Sequence, residues 1–385
     1  MRITAGQSGY EKGAEGRVPS AGIGTDSTGL TAAAGATLSV LTAGRWVTTL
    51  ATLALASLLV VFACLQFGAE HIGLVEAVDI LSRVLRDDRA GIESVGSTAV
   101  ILLQVRLPRV LLGFMVGGCL AAVGVGLQAL LRNPLADPYV LGISSGAALG
   151  AAVAILLGIG TSVLAISALP LFAFVGGLLS IVVVYRIAAA YGHLPVHTLL
   201  LAGVILNAIF SALIMFTVSM VDPARSFTIT AWLMGTLTAP AYPALGVLAV
   251  YFLGGSLILF WQAQPLNLLT LGEDSARSLG VEVETVKKIV FFTSALLTGA
   301  VVSVSGLIGF VGMVIPHVVR MIIGADHRLL LPASALVGGM FLIAADTVAR
   351  TVLAPAEIPV GVVTALAGGP FFIYLLMYRK GGQAL

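Results

Sequence analysis

From Pro138 to Tyr185 the chain carries no Asp, Glu, Lys or Arg, and the same is true from Ser226 to Gly272. Each run is long enough for two bilayer crossings of about 20 residues joined by a short turn. Charge is scarce elsewhere too. Of 385 residues, 10% are charged and 58% are hydrophobic, against roughly 25% charged in a soluble domain. So little charge cannot coat a water-facing surface of this size. In lipid every backbone polar group needs an internal partner, so long apolar segments must be helices. A membrane barrel would instead show short strands of alternating polarity. The net charge of +2, with no basic tract and no zinc-finger spacing, gives nucleic-acid binding no support. Cys64 and Cys119 lie in apolar runs and read as small core residues.

The pattern predicts an all-α, polytopic membrane protein. Spans are expected near 46–67, 108–130, 140–159, 166–185, 199–220, 242–262, 288–307, 309–323, 331–350 and 359–378. Only the glycines of "SGLIG" part the seventh and eighth, which predicts a tight turn or a broken helix there. Residues 1–45 are rich in Gly, Ala, Ser and Thr and read as a flexible cytoplasmic tail; residues 379–385 form a second one. The first long apolar run begins only after Arg45, which does not suit a signal peptide. With both termini inside, most of the 20 basic residues fall on cytoplasmic segments, as the positive-inside bias requires. The outer segments still keep Arg83, Arg86, Arg89, Arg106, Arg109, Arg225 and Arg350. That excess calls for an explanation such as a protein partner. Gly113 and Gly117 have GxxxG spacing and are followed by Gly124 and Gly126, which predicts a tightly packed helix.

A chain of this kind is a transporter, channel, receptor or membrane enzyme. It has no G-x-x-x-x-G-K-[ST] loop, and its lysines (Lys12, Lys287, Lys288 and Lys380) follow nothing of that sort. ATP binding through a P-loop of its own is therefore excluded. No series of Asp, Glu and His runs through the spans as a proton relay would require. Asp346 is the main carboxylate within a span and lies four residues before Arg350, so the two are expected to pair on one helix face. "HLPVH" has histidines four apart but holds Pro195 and lacks a zinc-protease glutamate. His317 and His327 are separated by an expected helix end and read as architecture rather than a shared metal site. "LNLLTLGEDSARSLGVEVETVKK" interrupts the apolar pattern at about 266–286. From the residues alone, a docking segment and a plain surface turn stand level there.

Longer stretches carry a resemblance. They are "RLPRVLLGFMVGGCLAAVGVGLQALLRNPLADPYVLGISSGAALGA", "LLLAGVILNAIFSALIMF", "WLMGTLT", "LGEDSARSLGV" and the run from Gly306 to Leu376 that begins "GLIGFVGMVIPHVVRMIIGADHR". In order and spacing the chain resembles permease subunits of the vitamin B12, haem and iron–siderophore class of binding-protein-dependent ABC importers. The resemblance reaches from about Arg106 almost to the C-terminus.

That resemblance implies ten helices per subunit, two inverted related halves and a homodimer in a bacterial inner membrane, with both termini cytoplasmic. It implies two cytoplasmic ABC ATPase subunits and an extracytoplasmic binding protein as partners. ATP and magnesium would be used by the ATPase; this chain would bind no cofactor or metal and would not itself be an enzyme. Carried onto this sequence, the family pattern places binding-protein docking at Arg106, Arg109 and Arg350. It places ATPase coupling at Leu271, Gly272, Ala276, Arg277, Leu279 and Gly280. The translocation pathway falls on Asn207, Ser211 and Met215, spaced to share one helix face, although Met215 also suits lipid or core. A cytoplasmic gate falls on Gly192, His193, Leu194, Pro195 and Val196. The cargo would be a metal chelate: vitamin B12 or a ferric siderophore, or haem. The same architecture would also serve another metal compound or an oxyanion such as molybdate. The reading from a different class is an ion-coupled secondary transporter.

Overall fold

A computed structural model describes residues 42–68, 72–86, 96–159, 168–189 and 194–378. The N-terminal tail, the C-terminal tail, His71, Gly192 and His193 lie outside the described residues. Secondary structure among the described residues is helical throughout. In chain order the helices are α1 (Ala43–Gln66), α2 (Leu74–Leu85), α3 (Ser97–Leu130), α4 (Ile143–Leu156), α5 (Ala168–Ala188), α6 (Val196–Met220) and α7 (Pro223–Leu233). Then follow α8 (Tyr242–Trp261), α9 (Ala263–Leu269), α10 (Glu273–Ser278), α11 (Val283–Ser305), α12 (Val311–Ile323), α13 (His327–Thr351) and α14 (Val360–Tyr378).

Seven of these, α1, α3, α5, α6, α8, α11 and α13, are long and apolar enough to cross a membrane. Helices α4, α12 and α14 are apolar but shorter, and sit where the third, eighth and tenth spans were expected. The chain also forms helices where the apolar pattern predicts none. Amphipathic α2 and the shorter, more polar α7 lie between long spans. Helix α3 starts well before Arg106, passing through a wider π-helical turn at Ile101–Arg106 before Pro108. Asp222 caps α7 by accepting from the N–H groups of Ala224 and Arg225. This short polar signal is lost in a hydropathy window.

Helix α3 is the axis of the bundle. From Val116 to Leu130 every residue is buried, and it packs against α13, α11, α12 and α8. Its small residues explain the closeness. A Cβ built at Gly117 would overlap the Gly338 carbonyl of α13, and one at Gly124 would overlap the Gly312 carbonyl of α12. Only glycine permits these backbone approaches, which is how membrane helices gain packing without a hydrophobic drive between them. The tight pair is thus Gly117 and Gly124, two turns apart; a Cβ at Gly113 meets the side chains of Leu237 and Ile343 at 3.1 and 3.2 Å and the nearest backbone atom only at 4.0 Å.

Helices α6 and α8 contrast with this core. Leu201, Val204, Ile205, Met215, Phe216 and Met220 on α6 are exposed, as are Val247, Val250, Leu253 and Trp261 on α8. Apolar surface this extensive does not persist in water; it belongs against lipid or a second chain. Between α11 and α12 the chain breaks at Gly306 (φ +65°), as "SGLIG" predicts, and turns again at Phe310 (φ +69°). Pro316 lies inside α12 without ending it.

Candidate functional site

Charged side chains gather at two ends of the bundle. At one end the part of α3 around Pro108 and Arg109 meets the close of α13. Arg109 reaches Asp346 through Nε (3.1 and 3.2 Å) and Nη2 (2.9 Å), while its Nη1 donates to both oxygens of Glu357 at 2.9 and 3.1 Å. Arg350 Nε forms an ion pair with Asp346 Oδ2 at 3.1 Å. Its Nη2 donates to Thr347 Oγ1 at 3.2 Å. The Asp346 and Arg350 side chains are 3% and 7% exposed, Arg109 12%, and Glu357 53%. Charges balance here, two guanidiniums against two carboxylates.

The expected Asp346–Arg350 pair is present, but Asp346 is shared with Arg109 from a helix far away in sequence. Glu357, in the loop before α14, had no periodicity to mark it. Arg106 is placed differently from its neighbour: its Nη1 donates to the carbonyls of Leu65 and Gln66 at 3.0 Å, and its side chain is buried against the end of α1. Of the three arginines assigned to docking, Arg109 makes its two-nitrogen, bidentate contact with buried Asp346 and reaches the half-exposed Glu357 carboxylate through Nη1 alone.

At the other end the segment between α9 and α11 meets the start of α6. Glu273 heads the short helix α10. It accepts from Lys287 Nζ at 2.7 Å and Arg132 Nη2 at 2.9 Å, and Arg277 lies 3.5 Å away. Burial alone would raise the Glu273 pKa; the Lys287 ammonium, with Arg132 and Arg277, outweighs it and holds the carboxyl below its usual value. Around this helix Leu271 and Leu279 are exposed, while Ala276 is fully buried. Gly272 (φ +111°) and Gly280 (φ +86°) bracket it in left-handed conformations that favour glycine. Of the expected coupling residues, then, Leu271, Arg277 and Leu279 face outward, and Gly272, Ala276 and Gly280 shape the turn. Arg277 pairs with Asp274 at 3.2 Å.

The same end collects further polar contacts that the sequence left unmarked. Gln128 Nε2 donates to the Met313 carbonyl at 3.1 Å, and Arg320 Nη2 donates to Gln128 Oε1 at 3.0 Å. Arg45 Nη2 donates to the Ile323 carbonyl, and Trp46 Nε1 to that of Arg328, both at 3.0 Å. His327 lies 2.6 Å from Asn267 through Nδ1, whereas His317 meets Phe372 edge-on; the two histidines share no ligand geometry. Among the described residues no group of three or more His, Cys, Asp or Glu is placed to hold a metal ion.

Asp326 caps α13, its Oδ1 accepting from the Arg328 N–H at 3.0 Å. The Arg328 guanidinium beside it pushes the Asp326 pKa down to about 2. A carboxyl with a lowered folded-state pKa stabilises above its unfolded pKa, and that contribution is lost as pH falls through the folded value. Asp326→Ala is therefore expected to cost about 1 kcal/mol at neutral pH. The difference from the parent should shrink between pH 4 and pH 2. Thermal unfolding in detergent across that range checks it; a pH-independent difference would show that the charge is not involved.

In the middle of the chain, the Asn207 amide is held by its neighbours. Nδ2 donates to the Tyr139 carbonyl at 2.8 Å, and Oδ1 accepts from Ser145 Oγ. Ser211 and Met215, further along α6, are exposed with the rest of that face. The three share a helix, but Asn207 ties α6 to α4 and to the turn at Pro138–Leu141, whereas the other two face outward. Of the expected gate residues, Leu194 is buried, while Pro195 and Val196 are partly buried at the head of α6.

The chain as a whole is similar to known proteins. The model of the FecCD transport family matches residues 53–378. The cobalamin import system permease protein BtuC of Halobacterium salinarum is 45% identical over 282 residues, covering 73% of this chain and 74% of that protein. The hemin transport system permease protein HmuU of Yersinia pestis is 43% identical over 281 residues, covering 73% and 84% respectively. A solved structure described as an inward-facing conformation of a metal-chelate type ABC transporter superposes with a TM-score of 0.72 at 33% identity. It covers 86% of this chain and 99% of that one. Matching nearly the whole described bundle, from α1 to α14, the chain belongs to the FecCD transport family.

Proposed function

We propose that this chain is the membrane permease of an ATP-driven importer that moves a metal chelate into the cytoplasm by alternating access. The observation that carries the reading is the family match across residues 53–378, together with permease relatives whose cargoes are cobalamin and hemin. The placement of polar groups supports it: an arginine cluster at one end of the bundle and an exposed α10 segment at the other. In this proposal ten helices cross the inner membrane, two copies form the pathway between their α6 faces, and both termini are cytoplasmic. Two ATPase subunits grip Leu271, Gly272, Ala276, Arg277, Leu279 and Gly280, and supply the ATP and magnesium chemistry. A binding protein presents carboxylates to Arg109 and Arg350, with Arg106 fixing the end of α1 beside them. Asn207 sets the position of α6, Ser211 and Met215 face the pathway, and Leu194 to Val196 form the described part of the gate. Cobalamin and ferric siderophores are the first cargoes to test, with haem next.

Ion coupling fits less well. A coupling carboxylate must bind and release its ion, and Asp346 is held by Arg109 and Arg350 together. The deciding experiment is uptake of labelled cobalamin, ferric siderophore and haem into proteoliposomes that hold the chain with its ATPase and binding protein. One cargo is expected to accumulate only with ATP. Accumulation that persists without ATP would overturn the importer reading.

A further inference from the structure

We infer that Lys287 and Glu284 form a clamp that transmits movement of the α10 segment to the head of α6, making Lys287 a positioning residue for opening the pathway. The inference rests on the proposed function.

Lys287 lies in the second turn of α11, and its side chain is 4% exposed. An ammonium has three donors, and all three have acceptors here. Nζ lies 2.7 Å from Glu273 Oε2 on α10, 3.2 Å from Glu284 Oε1 one turn earlier on α11, and 3.3 Å from the Leu194 carbonyl. Glu284 completes the grip, since its Oε2 accepts the Leu194 N–H at 3.0 Å. Both main-chain polar groups of Leu194 are thus held by one lysine–glutamate pair, and its side chain is fully buried. Next comes Pro195, which fixes φ and is the N-cap of α6; its carbonyl accepts the first N–H bond of that helix, from Leu199 at 3.1 Å. Pro195 alone separates the clamp from the first residue of α6. On the other side Glu273 is bound to Arg132 at the end of α3 as well as to Lys287. A shift of α10 therefore acts on Leu194 through one atom, the Lys287 ammonium, which Glu273 and the Leu194 carbonyl share.

A clip that merely stabilises the fold would affect stability alone. A transmitting clamp must also affect the response of α6 to nucleotide, because coupling between sites is a free energy that both ends feel. Lys287→Met separates the two. It removes the link without stranding the carboxylates, as Glu273 keeps Arg132 and Arg277, and Glu284 keeps the Leu194 N–H and access to solvent.

The measurement is the rate at which a thiol at His197→Cys is labelled in the purified complex with its ATPase, with and without ATP trapped by vanadate. His197 is exposed in the first turn of α6, and both native cysteines are buried. In the parent, the labelling rate should change with nucleotide. In Lys287→Met that change should shrink about tenfold while ATP hydrolysis stays within about twofold, and Lys287→Arg should restore most of the response. If Lys287→Met does not assemble, Glu284→Ala, which releases the Leu194 N–H, decides by the same readout. A full response in the variant would overturn the clamp alone. A parent complex whose labelling ignores nucleotide would overturn both the clamp and the proposed function.

Discussion

Asp346→Asn should lower stability by about 3–5 kcal/mol, because it leaves Arg350 buried beside a second guanidinium with no full negative charge between them. Asp346 is the hub of the α3–α13 end: Arg109 reaches it with two nitrogens and Arg350 with one. Removing one partner of a buried pair costs far more than the pair contributes, since the remaining charge stays desolvated. The matching control removes the three buried members of the set and leaves half-exposed Glu357 in place. Arg109→Leu, Asp346→Leu and Arg350→Met together should return to within about 2 kcal/mol of the parent, since apolar groups of similar volume often replace buried ions without loss. Denaturant titration in detergent micelles checks both. A loss under about 1 kcal/mol for Asp346→Asn would mean that water reaches the cluster and screens it, as it does for surface pairs.

Gly124→Ala should destabilise by about 2–3 kcal/mol although alanine is the better helix former. Propensity alone predicts a gain of about 1 kcal/mol at an interior helix position. The added methyl, however, would overlap the Gly312 carbonyl of α12, a backbone atom with no rotamer in which to retreat. Helices α3 and α12 would have to separate, losing close contacts along their crossing. Gly254→Ala on α8 is the control, since a Cβ there meets nothing within 4 Å. It should gain up to about 1 kcal/mol from propensity. Opposite signs for the same substitution would locate the tight crossing; equal signs would remove the close-packing explanation.

Different features were legible for different reasons. The long apolar helices were readable because burying a backbone in lipid forces them, whatever the neighbours. The Asp346–Arg350 pair was readable because four residues along a helix is a fixed geometry. Arg109 joining that pair was not, because it depends on α3 and α13 lying side by side. Glu357, Gln128 and Lys287 were missed for the same reason: each makes contacts far away in sequence, and none sits in a periodic pattern. Of the glycines, the GxxxG spacing pointed to α3 as the close-packed helix, but the crossings fall at Gly117 and Gly124. That register depends on which carbonyls of α12 and α13 lie opposite.

By itself the amino-acid sequence determined that this chain is helical and membrane-embedded, with no ATP-binding loop of its own, because composition and local spacing act without reference to tertiary partners. Only the tertiary structure decided which charges meet: Asp346 between two arginines at one end, and Lys287 between α10, α11 and the main chain of Leu194 at the other. A buried charge must find its counter-charge in space, and the order of residues along the chain does not say which helices will be neighbours.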